Sequence, residues 1–477
     1  MSDSTPEITK LILKAAAKAD KESPGIPSDE TVEPLKWPLQ ATVGPGLEGA
    51  IACETKIGYV NGTNGWLIYQ GYNIFDLCAH CTFEEVAYLL LYGDLPTKEQ
   101  LDSFQGKLVA ARSLPHTLRM MMATPIEEMN PMSGLRLGTN LMRRRLTWRD
   151  TEAGRPDPSS AIASDEDSIP METAPMGEKR AIYEFGRRRA PRPQDASRRT
   201  TGAASLDSCI QLISGVGTIT AAIARIHDNA LPIEPDPNLG HAANILYMMT
   251  GERPSPEAER VMDVALILHA DHGMNASTFA AMVVASTLSD IYFSIGAAIA
   301  ALTGPLHGGA NEQVVRTLKE IGGPNKVDAW FKRTMKKGEK IPGFGHRVYK
   351  AYDPRARILE PLARHLVSHS PESSSPESRL LYRTARKLEK SVVSTLGKEK
   401  SVLPNVDFYS GIVYSSMGIP EHMFTPLFAA SRVAGWTARV HEYLKKNRIF
   451  RPRAWYVGEF GREVKPITSR RTKKRKK

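Results

Sequence analysis

Strand-like alternation is confined to one short stretch of this chain. Lys56-Ile-Gly-Tyr-Val60 and Trp66-Leu-Ile-Tyr69 flank the turn cluster Asn61-Gly-Thr-Asn-Gly65, the pattern of a hairpin. Nearly every other periodic segment repeats like a helix. A doubly wound sheet needs strands alternating with helices. The expected fold is therefore mainly α, with a small N-terminal β-hairpin.

Helix signals support this. Thr82 is placed to cap a helix from Phe83 to just before Gly93, with Glu84 and Glu85 in the first turn and Val86, Leu89 and Leu90 on the apolar face. Another helix follows Leu95-Pro96-Thr97 and reaches Leu108. Ser255 and Pro256 form a favoured opening pair for a helix ending at His269. Further helical patterns cover 312–321, 379–396 and 425–446. The apolar run 291–306 is too short for a membrane span and reads as a helix buried on all sides. Residues 148–204 are rich in Pro, Ser, Asp and Arg without a sustained period, which predicts a disordered insertion. Residues 1–46, polar and punctuated by Pro and Gly, read as a loosely held arm.

The charge balance needs locating before it is interpreted. The chain carries a net +11, but residues 461–477 hold nine basic side chains against Glu463. That basic tail is expected to be solvated, and any RNA or membrane attraction through it non-specific and salt-sensitive. No specific nucleic acid and no membrane partner is implied. With 41% hydrophobic and 24% charged residues, the rest is ordinary globular composition. Four cysteines make no disulfide framework, and Cys78-Ala-His-Cys81 lacks the second pair of a zinc site. The N-terminal stretch shows neither an apolar signal core nor the arginines of a transit peptide. A reducing, cytoplasmic setting is the simplest expectation, with no metal site.

Chemistry concentrates in four stretches. Pro342, Gly343 and Gly345 let backbone approach a ligand closely, and His346 follows, a proton-transfer group near neutral pH. Arg355 stands after Asp353-Pro354. His307 lies between Gly304-Pro305 and Gly308-Gly309, ahead of a new helical pattern. Asp407 sits in Leu403-Pro-Asn-Val-Asp-Phe-Tyr, which reads as a loop, and His272 in His-Ala-Asp-His-Gly-Met-Asn-Ala-Ser-Thr278.

In order and spacing these stretches resemble the citrate synthase family, over about residues 46 to 458. The resemblance implies a two-domain helical fold. Its large domain would take 47–308 (with the insertion 148–204) and 419–460, and its small domain 309–418, with the site between them. It also implies joining the methyl carbon of acetyl-CoA to oxaloacetate and hydrolysing the thioester, with acetyl-CoA as co-substrate and no permanently bound cofactor. Asp407 matches the base, His307 the residue holding the thioester oxygen, and His346 the residue polarising the keto oxygen. The start of a helix after His307 favours a neutral ring. His272, Arg355 and Arg432 match carboxylate-binding residues, suited to bidentate recognition in the case of the arginines. Arg451 matches an arginine that enters the neighbouring subunit's site, implying a homodimer or a higher oligomer. Arg347 and Lys350 are placed to meet CoA phosphates. Two positions depart from the family pattern, Asn130 where His is usual and Gly273 where Glu is frequent. The rival readings are a 2-methylcitrate synthase acting on propionyl-CoA and a catalytically silent protein that binds CoA or nucleic acid.

Overall fold

The computed structural model describes residues 5–22, 43–114, 128–142, 205–369, 375–397, 402–452 and 466–469. The expected insertion 148–204 and every basic side chain of the tail lie outside these. Among the described residues there are sixteen α-helices and one small three-stranded sheet, as the periodicity predicts.

The sheet is antiparallel, β1 (Gly58–Asn61), β2 (Trp66–Tyr69) and a two-residue β3 (Tyr72–Asn73), with Gly58 opposite Tyr69 and Asn61 opposite Trp66. Its chief role is to brace two chain segments. At its base, the Tyr69 hydroxyl donates to the carbonyl of Asp271 at 2.8 Å. At its tip, the carbonyl of Gly62 accepts from the backbone N–H of Lys350 at 2.8 Å. A Cβ on Gly62 would lie 1.9 Å from the carbonyl oxygen of Val348, so glycine is what permits that contact.

Helices α2 (Ile74–His80), α3 (Phe83–Tyr92) and α4 (Lys98–Ala110) follow. Thr82 caps α3 in a reciprocal capping box with Glu85, as its sequence signature indicates. Buried Glu84 instead reaches across to accept the backbone N–H of His241 at 2.7 Å, at the start of α7 (His241–Thr250). Asn130 caps α5 (Pro131–Leu141), accepting from Met132 N–H. The long α6 (Leu206–His227) is apolar enough to cross a membrane, yet most of it is buried inside the protein. Beyond it run α8 (Pro256–His269), α9 (Ala276–Ser286), α10 (Ile291–Leu302), α11 (Ala310–Ile321) and α12 (Val327–Lys337). The order closes with α13 (Pro354–His369), α14 (Pro376–Val392), α15 (Val406–Ser416) and α16 (Phe424–Leu444).

Three expectations need correcting. Residues 5–22 form a helix, α1 (Thr5–Glu22), whose Ile8 and Ile12 are fully buried, so this part of the arm is seated on the core. The apolar face that holds it, Ile8, Leu11, Ile12, Ala15, Ala16 and Ala19, recurs at helical spacing within an otherwise polar stretch. Helix α10 is not buried on all sides, because Phe293 is 44% exposed within one chain. Asp407 stands in the first turn of α15 rather than on a loop.

Candidate active site

The site is assembled on one face of α16. Arg432, Gly435 and Arg439 fall at i, i+3 and i+7, so they share that face. The backbone N–H of Gly435 donates to the carbonyl of Ala270 at 3.0 Å, and a Cβ there would lie 2.3 Å from that oxygen. With the helix backbone pressed against the turn 269–272, the flanking arginines have nowhere else to go. Arg439 forms a buried bidentate pair with Asp271, at 2.6 and 2.7 Å. Arg432 donates through Nε to the carbonyl of His269, packs over the Phe428 ring, and leaves buried Nη2 without a partner. A guanidinium with an unmatched buried donor is poised for an anion. Burial lowers its pKa to about 10, with Asp271 and Tyr69 opposing.

A second frame carries His346 and Asp407. Gly343 and Gly345 both take φ of +78°, and a Cβ on Gly343 would meet Val314 and Phe408 at 2.7 and 2.8 Å. This loop is zipped to the segment before α15. Gly345 N–H donates to Leu403 O, Asn405 N–H to Gly343 O, and the Asn405 side-chain amide to Gly345 O, each at 2.9 Å. Asn405 also caps α15 by accepting from Asp407 N–H at 3.0 Å. One asparagine thus fixes His346 relative to Asp407.

Asp353 completes the frame. Its carboxylate holds buried Arg355 bidentately, at 3.0 and 2.8 Å, and accepts from Val406 N–H at 3.2 Å. Burial acts against the Arg355 charge, but Asp353 beside it outweighs burial and raises the pKa.

The histidines are neutral and their tautomers are set. His346 Nδ1 accepts from the backbone N–H of Val348 and of Tyr349, at 3.0 and 3.2 Å, which leaves the proton on Nε2. His307 Nε2 accepts from Ser277 N–H at 3.2 Å and from the Ser277 hydroxyl, which leaves its proton on Nδ1. Burial lowers both pKa values to about 4, assisted by Arg355 at His346 and by Arg432 at His307. His272 is held 3.3 Å from the Tyr349 hydroxyl, with its pKa lowered by burial and then by Arg355. Its ring lies 5.3 Å from that of His346, edge to face. Gly273 takes a left-handed φ of +61°, open to glycine without strain.

Asp407 contrasts with Asp353, whose pKa Arg355 lowers against burial. Helix starts lower a carboxyl pKa, yet burial raises this one to about 6 against the pull of Arg355 and Arg432. Arg355 and Arg432 both act on Asp407 and His272, Arg355 also on His346 and Arg432 also on His307, so the two arginines link these four expected residues.

Three do not join them. Arg451 is exposed and donates to the carbonyl of Pro452. Arg347 and Lys350 are also exposed, Arg347 within 3.6 Å of Glu48. Conversely, sequence reasoning assigned no role to Ser277, Tyr349, Asp353 or Asn405. Asn405 had a local signal, an asparagine directly before a helix start. Ser277 and Tyr349 act through partners far along the chain, and Asp353 ties its near neighbour Arg355 to the distant Val406. Cys78 and Cys81 are buried free thiols whose pKa values burial raises, that of Cys81 to about 11.

The family model described as "Citrate synthase, C-terminal domain" matches residues 46–453. The chain belongs to the citrate synthase family. It is accordingly an enzyme of the citrate synthase type, an acyltransferase. The citrate synthase of Deinococcus radiodurans is 38% identical over 418 residues, covering 88% of this chain and 96% of that one. A Bacillus subtilis relative named citrate/2-methylcitrate synthase is 34% identical over 416 residues, covering 87% and 96%. A citrate synthase from Thermoplasma acidophilum, solved as a ternary complex with carboxymethyl coenzyme A and oxaloacetate, superposes with a TM-score of 0.74 at 32% identity. That match covers 90% of this chain and all of the other.

Proposed function

We propose that this citrate synthase family member condenses acetyl-CoA with oxaloacetate and water to give citrate and CoA. One observation carries the reading. A carboxyl with a pKa near 6 shares its arginine neighbours with two neutral imidazoles, each fixed with a single N–H to donate. A thioester methyl is a feeble carbon acid, so a base must act together with a donor on the oxygen. Asp407 takes the methyl proton while His307 Nδ1–H holds the developing enolate oxygen. The carbon then attacks the keto carbon of oxaloacetate, whose oxygen receives the proton from His346 Nε2. Water cleaves the resulting thioester and CoA leaves as the thiol. Arg355, Arg432 and His272 hold the carboxylates of the oxo acid, and Arg347 and Lys350 meet CoA phosphates.

The working unit is a homodimer in the cytoplasm. Arg451 follows a segment anchored at the C-terminal end of α9, where Phe450 N–H donates to the Ser286 hydroxyl. Ser277, which holds His307, is at the other end of that helix, roughly 13 Å away at about 1.5 Å per residue. Arg451 therefore serves a neighbouring subunit's site. The exposed apolar side chains Leu288 and Phe293, after the C-terminal end of α9 and at the start of α10, suit a subunit contact. Residues 309–418 act as a small domain that closes over the substrates and excludes water.

Propionyl-CoA is the rival thioester, favoured by the relative that carries both names. One methylene discriminates by only about 1–3 kcal/mol. Purified protein should release CoA thiol from acetyl-CoA only when oxaloacetate is supplied, with equimolar citrate. Absence of oxaloacetate-dependent release would end the reading. A larger kcat/KM with propionyl-CoA would reassign the thioester.

A further inference from the structure

A cleft of about 670 Å³ opens where α1, α13 and α14 meet, and none of the residues assigned to catalysis or substrate binding lines it. That is within the size range of small-molecule sites. Its walls are strongly cationic, with seven Lys and Arg side chains against Glu360 and Glu389. Three of the cations have structural partners. Arg357 pairs with Glu22, Lys387 with Asp328 at 2.8 Å, and Arg386 with Glu360 and Glu389.

Four do not. Among the described residues, Lys14 and Lys18 of α1, Arg364 of α13 and Lys390 of α14 line the cleft with no ion pair. Lys14 and Lys18 are one helical turn apart and present both ammonium groups to the same side. The four thus come from three separate helices. A concave wall of like charge repels itself and focuses a positive field, which a bound anion relieves. Leu11, Ala15 and Pro361 add an apolar floor beside the charges.

The cleft also reaches the catalytic frame. The Glu389 carboxylate accepts from Tyr352 at 2.6 Å and from Tyr409. Tyr352 directly precedes Asp353, and Tyr409 is two residues beyond Asp407.

We propose that this cleft binds a small polyphosphate anion, either free or as the phosphate chain of a nucleotide. Several phosphates in a row match cations spread over three helices better than one carboxylate or one phosphate does. The site is additional to the catalytic one and requires none of its residues.

The test is calorimetric titration of the full-length protein with inorganic tripolyphosphate, adenosine triphosphate and adenosine at low ionic strength. Saturable binding of tripolyphosphate is expected, and none of adenosine. Adenosine triphosphate binding no tighter than tripolyphosphate identifies free polyphosphate as sufficient, while binding at least tenfold tighter identifies a nucleotide. The double variant Lys14→Glu, Lys18→Glu and, separately, Arg364→Gln should each weaken binding, the double variant at least tenfold. Both should retain wild-type activity, which shows that they fold. Wild-type affinity in both variants would place the anion elsewhere, on the basic tail or the catalytic site, and overturn the proposal. Adenosine binding as tightly as the triphosphate would do the same.

Discussion

Ser277 donates its backbone N–H to Nε2 of His307 across 3.2 Å, and its hydroxyl approaches the same nitrogen. The two residues are 30 positions apart and belong to different chain segments, yet together they decide which nitrogen of His307 keeps the proton. Ser277→Ala retains the backbone donor and loses the hydroxyl. A single hydrogen bond is worth about 0.5–1.5 kcal/mol, so kcat should fall about two- to tenfold with the KM for the oxo acid little changed. Unchanged kcat would show that the hydroxyl does not position the ring.

Asp407→Asn should fold and lose some 10²–10⁴-fold of turnover, the usual cost of a missing general base. In the wild type, kcat/KM for acetyl-CoA should decline as pH falls through about 6, since only the carboxylate accepts a proton. A flat pH profile down to 5 would remove Asp407 from the role.

The same carboxyl has a stability signature opposite to that of a salt-bridged one. Its folded pKa of about 6 exceeds the ordinary value of 3.8, so the fold binds this proton more tightly than the unfolded chain does. Ionising it costs stability, progressively from about pH 4 to pH 6, and the cost persists above. Asp407→Asn should therefore melt higher than wild type at pH 7, and the difference should vanish below pH 4. Equal melting temperatures at pH 7 would contradict the burial argument.

Histidines act in the other direction. Burial lowers the pKa of His241 and His269 to about 3 and of His307 and His346 to about 4. Unfolding lets these rings take up protons below about pH 6.5, so stability drops as pH falls from there toward 4. Melting temperature should fall markedly between pH 7 and pH 5, Asp407 offsetting part of the loss. A melting temperature that rises over that interval would be incompatible with four neutral rings.

Arg451 can be tested by complementation. Mixed dimers of Asp407→Asn and Arg451→Ala subunits contain one site with both lesions and one wholly native site, if the arginine crosses between subunits. Activity should partly return when the two inactive proteins are mixed and allowed to exchange. Demonstrable mixed dimers without activity would mean that Arg451 serves its own subunit.

The sequence by itself determined the class of the fold, and its motifs carried the family resemblance that singled out the candidate site residues. Thr82, Ser255 and Pro256 mark helix starts by local chemistry, because capping depends on residues within one turn. Gly343, Gly345 and His346 stand together in the chain, so their shared loop was legible directly. Even Asn405, which was not assigned a role, had a local capping signal. What only the tertiary structure decided is the set of long-range partners. Gly435 is an ordinary helical glycine in the sequence, and its meaning lies in the carbonyl of Ala270 that its backbone touches. Asp353 and Asp407 are the same residue type, yet one is held ionised by Arg355 and the other is driven toward protonation by burial. Burial and field are sums over residues distant in the chain. For that reason the motifs could point to Asp407, His307 and His346 through a resemblance, but only packing sets their protonation.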